Sequence, residues 1–487
     1  MLKIKAVQDY DCDVLIAGGG PSGSCLAFHL AKRGIKVIVV ESEVFPRDKV
    51  CGDGVSPIAL AELKKLGITE LGKFRKTNEI NQVGLFIRND KVSIPLTKPD
   101  HLPFHAHIIP RIDLDYWISN AAKKAGAKYL EGTRVLDYKI NATGVSVCTK
   151  QGLTEQTLRA KMIVGADGSS SRIHRQLNGT KPNGEYQLLG LRAYYEKVNG
   201  PTDRVDVYFS EEGFPGIFWM FPRGKDAANI GMAMVSDTFP KKNLHVKDLL
   251  QRHIDGNKDI KERIGSGRMV GKIQGWPINF YNNNSLICSD RILLVGDAAG
   301  LINPLSGDGI QYSLLSADWA AEVIFKAFEN DDFLEKSLSA YRSRVEQELG
   351  LDFSLSNLLI QFPRNKTLGK LWMGILEVLI ARAKKDKEYA DIIAGIFEGT
   401  YPSYKAANLS FVLKSLKEGG LSISEYLAEG VQHPQEFLSN LLNSSNGAFE
   451  LVSELLDHRD ENLKWVKTTA GKTVSLVGQM VKHFGQS

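Results

Sequence analysis

The stretch CDVLIAGGGPSGSCLAFHLAKRGIKVIVVE (12–41) decides how the rest of the chain is read. Two β-branched runs, CDVLIA (12–17) and KVIVVE (36–41), flank a segment in which Leu26, Ala27, Leu30 and Ala31 recur at helical spacing until Gly34 stops it. The pattern predicts a strand–turn–helix–strand unit. Gly18, Gly20 and Gly23 stand as GxGxxG between the first strand and the helix. Such glycines permit a tight turn, close approach of backbone to a pyrophosphate, and close helix–strand packing; the helix N-terminus adds unpaired N–H groups and a partial positive charge. Glu41 ends the second strand about 20 residues on, where an acid reaches a ribose diol. The unit therefore predicts a dinucleotide site on a Rossmann-type α/β fold.

Outward from this unit, PRIDLDYWISNAAKKAG (110–126) reads as a helix opened by Pro110 and closed by Gly126, followed by strand-like stretches around 128–140, 144–150 and 155–166. From 181 to 284 the alternation of DRVDVYF and IGMAMV predicts an inserted antiparallel sheet. RILLVGDAAG (291–300) is a strand running into a turn, and the chain beyond about 310 reads as helical. The expected division is a discontinuous nucleotide-binding domain (1–180 and 285–345), an antiparallel-sheet substrate domain (181–284, with 80–110 a candidate to join it), and a C-terminal helical region (346–487).

Composition narrows the class. With 61 Lys and Arg against 56 acids, the formal charge of +5 on 487 residues is too mild to argue for nucleic acid. The five cysteines are scattered without CxxC pairs, which argues against a disulfide framework and a zinc site and suits a reducing compartment. The N-terminus lacks an apolar signal region, and the most apolar run, LWMGILEVLI (371–380), is too short to span a bilayer and carries Glu377. A cytoplasmic protein is expected, with membrane association left open. His101, His105 and His107 lack partners at ligand spacing, so no metal site is expected; they suit the border of a substrate entrance. Val474, Val477, Met480, Val481 and Phe484 share one face of a C-terminal helix, and no acid follows Asn462. That face fits an anionic membrane surface and a domain or partner interface equally well.

Two later segments choose between NAD and FAD. MIVGADGSSSR (162–172) and RILLVGDAAGLINPLSGDGI (291–310) each end an apolar strand in an acid, Asp167 and Asp297, able to accept from ribityl or ribose hydroxyls. With these devices in order, residues 10–345 resemble the FAD-binding flavoproteins of the p-hydroxybenzoate hydroxylase type. The resemblance implies FAD, with Ser22 and Glu41 at the pyrophosphate and adenosine ribose. Arg111 would meet the phosphates, and Val135 would offer backbone to adenine. Asp297 would bind near the pyrophosphate and ribityl chain, and Asp167 would join the cofactor contacts. Gly307, Gly309 and Ile310, just after Pro304, would open a helix toward the flavin pyrimidine. No second GxGxxG unit exists for a nicotinamide, so the resemblance implies transient NAD(P)H or an electron-donor protein as reductant.

Three stretches resemble the geranylgeranyl reductase branch. They are the turn Cys51-Gly52-x-Gly54-x-x-Pro57, the segment IFWMFP (217–222) followed by Gly231, and GDAAGLINPLSGDGIQYSL (296–314). The resemblance implies saturation of isoprenoid double bonds in a hydrophobic lipid, quinone or pigment precursor. Trp219 and Phe221 would wall the substrate pocket, and Cys51, Gly52 and Gly54 would lie by the isoalloxazine. An isolated alkene is a poor hydride acceptor and needs a proton delivered to one carbon in a dry, apolar site. Cys51 is a candidate to tune the flavin or relay that proton; a small packed residue is the plainer alternative. Ile217 stands where the branch has tyrosine and Ala233 where it has glycine, which leaves the substrate open. The alternative class is an FAD-dependent monooxygenase, hydroxylase- or halogenase-like. Ile217 and Phe221 depart from the halogenase W-x-W-x-I-P pattern, whereas hydroxylation is not excluded by a flavin site alone.

Overall fold

The computed structural model describes residues 9–88, 90–179, 184–213, 215–239, 245–366, 369–406 and 459–484. Its first layer is an eight-stranded sheet. Strand β1 (Cys12–Ala17) lies between two parallel neighbours, Val37–Val40 and the end of Thr154–Gly165, and the parallel ladder continues to Lys128–Leu130 on one side and Ile292–Leu294 on the other. Parallel strands are covered on both faces, which is why they read as unbroken apolar runs; Val14, Leu15 and Ile16 are fully buried. Helix α1 (Pro21–Lys32) packs between helices Arg111–Lys124 and Ile310–Glu329. The α/β nucleotide-binding architecture expected from 12–41 is thus present.

The second layer is a seven-stranded sheet in which five ladders are antiparallel and one, Arg204–Phe209 against Gln82–Ile87, is parallel. The hairpin of Gln82–Ile87 and Asp90–Pro95 belongs to this sheet. Ala106–Ile108 does not: it pairs with Gly54–Val55 and Asn78–Ile80 in a small three-stranded sheet. Local pattern could not separate these destinations, because pairing with a strand more than 100 residues away leaves no mark on the strand itself.

The helices Gly369–Ala383 and Lys387–Glu398 pack on the seven-stranded sheet: Met373, Leu376, Leu379 and Ile380 cluster with Ile87, Ile94 and Val207. The apolar run at 371–380 thus covers the seven-stranded sheet and not the parallel one. That run supplies apolar area, but which sheet it meets depends on the hairpin at 82–95. The last helix, Arg459–Phe484, docks on Glu335–Gln361 by its polar side, through Trp465 Nε1 to the Gln361 carbonyl (2.9 Å), Lys472 to Asn357 (2.6 Å) and Lys482 to Glu346 (3.0 Å). Val474, Val477, Met480 and Val481 are exposed among the described residues, and the Phe484 side chain lies outside them. Among the described residues no helix is long and apolar enough to cross a membrane.

Candidate active site

One cavity of about 750 Å³ runs from the glycine turn after β1 to the inner face of the seven-stranded sheet. At one end Gly18, Gly20, Ser22 and Glu41 line it; Arg111, Val135, Asp167 and Asp297 follow. Gly307, Gly309 and Ile310 line it at the start of helix Ile310–Glu329, as do Cys51, Gly52 and Gly54 in their turn. Trp219 and Phe221 close the far end with Ile217, Val83, Val207 and Phe397. Two expected residues stand apart from the lining. Pro304 is buried in its turn, and Gly23 faces the strand: a Cβ there would lie 2.0 Å from the Gly18 carbonyl oxygen, so its role is helix–strand contact. His107 lines the cavity, whereas His101 and His105 do not. Among the described residues no cluster fit for a metal ion exists.

The cradle fits a flavin dinucleotide. Helix α1 begins at Gly20 with neither a side-chain cap nor an acid in its first turn, so its N–H groups are free for phosphate oxygens. A Cβ on Gly18 would stand 2.3 Å from the Ala166 carbonyl oxygen, which holds the turn close to the neighbouring strand. The Glu41 carboxylate accepts from the Gly19 N–H (2.8 Å) and the Glu43 N–H (3.0 Å), an arrangement that presents it at the strand end. Asp167 Oδ1 is buried without a partner among the described residues and lies where a cofactor hydroxyl would satisfy it.

Several residues of this site lie outside the motifs that mark it in the sequence. Asp115, fully buried, binds Arg111 in a fork (Nε to Oδ1, 2.6 Å; Nη2 to Oδ2, 2.8 Å) and also accepts from Arg47 Nη1 at 2.7 Å. Burial opposes ionisation of its carboxyl, but the two guanidinium groups outweigh it and hold it below the ordinary range. Lys49 lies 3.6 Å from the Trp276 ring centroid; burial lowers its ammonium to about 8 although Asp297 pulls the other way. The Arg111–Asp115 spacing of four residues was readable as a helical pair; the convergence of Arg47 and Lys49 was not.

The turn bearing Cys51 is locked to the aromatic strand. Asn229 accepts from Trp219 Nε1 (3.0 Å) and donates to the Cys51 carbonyl (2.7 Å) and Asp53 Oδ2 (2.9 Å), which also accepts from the Tyr194 hydroxyl (2.9 Å). Asp53 is fully buried in the left-handed region, φ 66°, and burial raises its carboxyl to about 6 against the pull of Asn229 and Tyr194. A Cβ on Gly52 would touch Phe221 at 3.3 Å and the Trp219 ring at 3.6 Å, so only a small residue lets turn and strand meet. Burial also raises the Cys51 thiol, and Arg111 only partly offsets it. A thiol kept protonated is a poor nucleophile. Cys51 should therefore alkylate with iodoacetamide at least about tenfold more slowly than a free thiol at pH 8; peptide mapping by mass spectrometry that finds it the fastest of the five cysteines would contradict a neutral thiol.

A parallel sheet ending in an uncapped glycine turn, with arginines and strand-end acids along one cavity, defines an FAD-binding oxidoreductase. The chain belongs to the FAD binding domain family, which it matches over residues 11–327. It is 31% identical over 350 residues to digeranylgeranylglycerophospholipid reductase 2 of Methanopyrus kandleri, covering 70% of this chain and 84% of that one. It is 29% identical over 370 residues to menaquinone reductase of Mycolicibacterium smegmatis, covering 72% and 85%. A solved geranylgeranyl bacteriochlorophyll reductase-like protein from Thermoplasma acidophilum shares the fold with a TM-score of 0.63 at 22% identity, covering 92% of this chain and 98% of that one. Flavin-dependent halogenases share the fold as well.

Proposed function

We propose that this protein reduces carbon–carbon double bonds in the isoprenoid portion of a lipid or quinone. The observation that carries this reading is the continuity of the nucleotide cradle with a chamber walled by Val83, Val207, Ile217, Trp219, Phe221 and Phe397, which has room for an apolar chain and little to hydrogen-bond a polar ring. The relatives named for digeranylgeranylglycerophospholipid and menaquinone reduction support the same substrate class. Bound reduced FAD would supply a hydride equivalent. The protein's own residues do the rest. Gly18, Gly20 and Ser22 receive the pyrophosphate at the start of α1, and Arg111, held rigid by Asp115, adds positive charge without a search through rotamers. The apolar wall excludes water, which would quench a developing carbocation. Trp219, oriented by Asn229, presents an aromatic face that stabilises such a charge. Cys51 borders the chamber as a neutral thiol whose replacement by alanine should leave FAD affinity within about threefold, since its backbone and not its sulfur is held by Asn229.

The reductant is proposed to be NAD(P)H or a protein donor. Full-length protein loaded with FAD and photoreduced without oxygen should be reoxidised by geranylgeraniol, with a saturated product detected by mass spectrometry. Reoxidation by oxygen alone, yielding a hydroxylated product, would assign the site to the monooxygenases.

A further inference from the structure

The geometry points to Glu398 as the acid that protonates the substrate double bond. This inference rests on the alkene-reductase reading above and names the proton source that reading requires. Glu398 ends the helix Lys387–Glu398, in the C-terminal region that carries no nucleotide-binding device, yet it lines the same cavity as Trp219 and Phe221. It is only 7% exposed. Its Oε1 accepts from the Ala106 N–H at 3.3 Å, while Oε2 is buried with no hydrogen-bond partner among the described residues. An ionised carboxylate left so would be costly, and a protonated one has an O–H to give. Burial raises this carboxyl to about 7, and the Ala106 N–H only partly offsets it.

The placement is built rather than incidental. The next residue, Gly399, has φ 76°, and a Cβ there would fall 2.8 Å from Gln311 Oε1 and 3.5 Å from Asp308 Oδ2. Gln311 Oε1 in turn accepts from Ser56 of the Cys51–Pro57 turn at 2.6 Å. The helix end is thereby pinned against both segments that border the cofactor end of the chamber. The ionisable groups that line the cavity with it on the neighbouring segments are His107, next to Ala106 and lowered by burial, and Asp308, raised to about 6 by burial. The charged groups farther along the packed elements pair among themselves: Arg382 with Asp386, and Lys384 with Asp90.

In the step, the Glu398 O–H bond breaks and a C–H bond forms at one alkene carbon as the π bond opens. Bound reduced FAD would supply the hydride equivalent for the second C–H bond and would be left oxidised, and the Glu398 carboxylate regains a proton from solvent. The test uses full-length, FAD-loaded protein reduced anaerobically and mixed with geranylgeraniol. Glu398→Gln should slow reoxidation by at least about 100-fold with FAD affinity and photoreduction unchanged, and Glu398→Asp should restore part of the rate. A second readout needs no turnover: the infrared difference between wild type and Glu398→Gln should contain a protonated-carboxyl band at pH 5 that fades as pH rises through about 7. A Glu398→Gln rate close to wild type, a raised KM with unchanged limiting rate, or no such band overturns the role of Glu398 and leaves alkene reduction standing. Failure of wild type itself to react with geranylgeraniol overturns both.

Discussion

Replacing Asp115 with alanine is expected to remove FAD from the purified protein and to cost about 3–5 kcal/mol of stability, because breaking a buried ion pair leaves an uncompensated charge. Here two charges lose their partner. Arg111 is bound through both a fork and its buried position, and Arg47 shares the same carboxylate. Arg47 is also 3.7 Å from Glu41 Oε2, so it retains one acid, whereas Arg111 makes no other ion pair among the described residues. Asp115→Asn should fall between, since the amide still accepts hydrogen bonds but carries no charge. Guanidinium unfolding and the ratio of flavin to protein absorbance measure the two effects. An Asp115→Ala protein that purifies yellow and unfolds within 1 kcal/mol (about the error of such comparisons) of wild type would show that the arginines need no counter-ion.

Trp219→Ala is expected to cost a similar amount, about 3–5 kcal/mol, for a buried indole truncated in a packed wall. The functional loss should be larger than the flavin loss. Trp219 lies 6.0 Å from Phe221, centroid to centroid, and its N–H fixes Asn229, which holds the Cys51 carbonyl and Asp53. Removing the ring thus opens the chamber and frees the turn at once. Trp219→Phe separates the two: it keeps apolar area but leaves Asn229 Oδ1 without its donor, at about 1–3 kcal/mol for an unsatisfied buried acceptor. A double-mutant cycle with Asn229→Ala reads the coupling. Additive losses would mean that the indole acts by packing alone.

Much of the nucleotide site was legible in one dimension because its chemistry is local. A glycine turn, the helix it opens and the acid ending the next strand are close neighbours in sequence, and backbone requirements select the residue types directly. The same holds for Asp167 and Asp297, each at the end of its own strand. The chamber was legible only in part. Trp219 and Phe221 stood out only through the resemblance of IFWMFP (217–222) to the geranylgeranyl reductase branch, and Asn229 and Asp53, which tie that strand to the Cys51 turn, carry no pattern. Each is an ordinary polar residue until a partner more than 100 positions away meets it.

By itself the sequence determined the α/β class, the dinucleotide cradle and the mild net charge of the chain, since each follows from short-range periodicity, glycine conformations or composition. Only the tertiary structure decided that the hairpin at 82–95 extends the inserted sheet, that the helices at 369–398 pack on that hairpin, and that Glu398 is buried in the cavity that begins at the glycine turn. Those facts depend on contacts between distant segments, where apolar area is satisfied by any sufficiently apolar surface and the pattern along one segment does not name its partner.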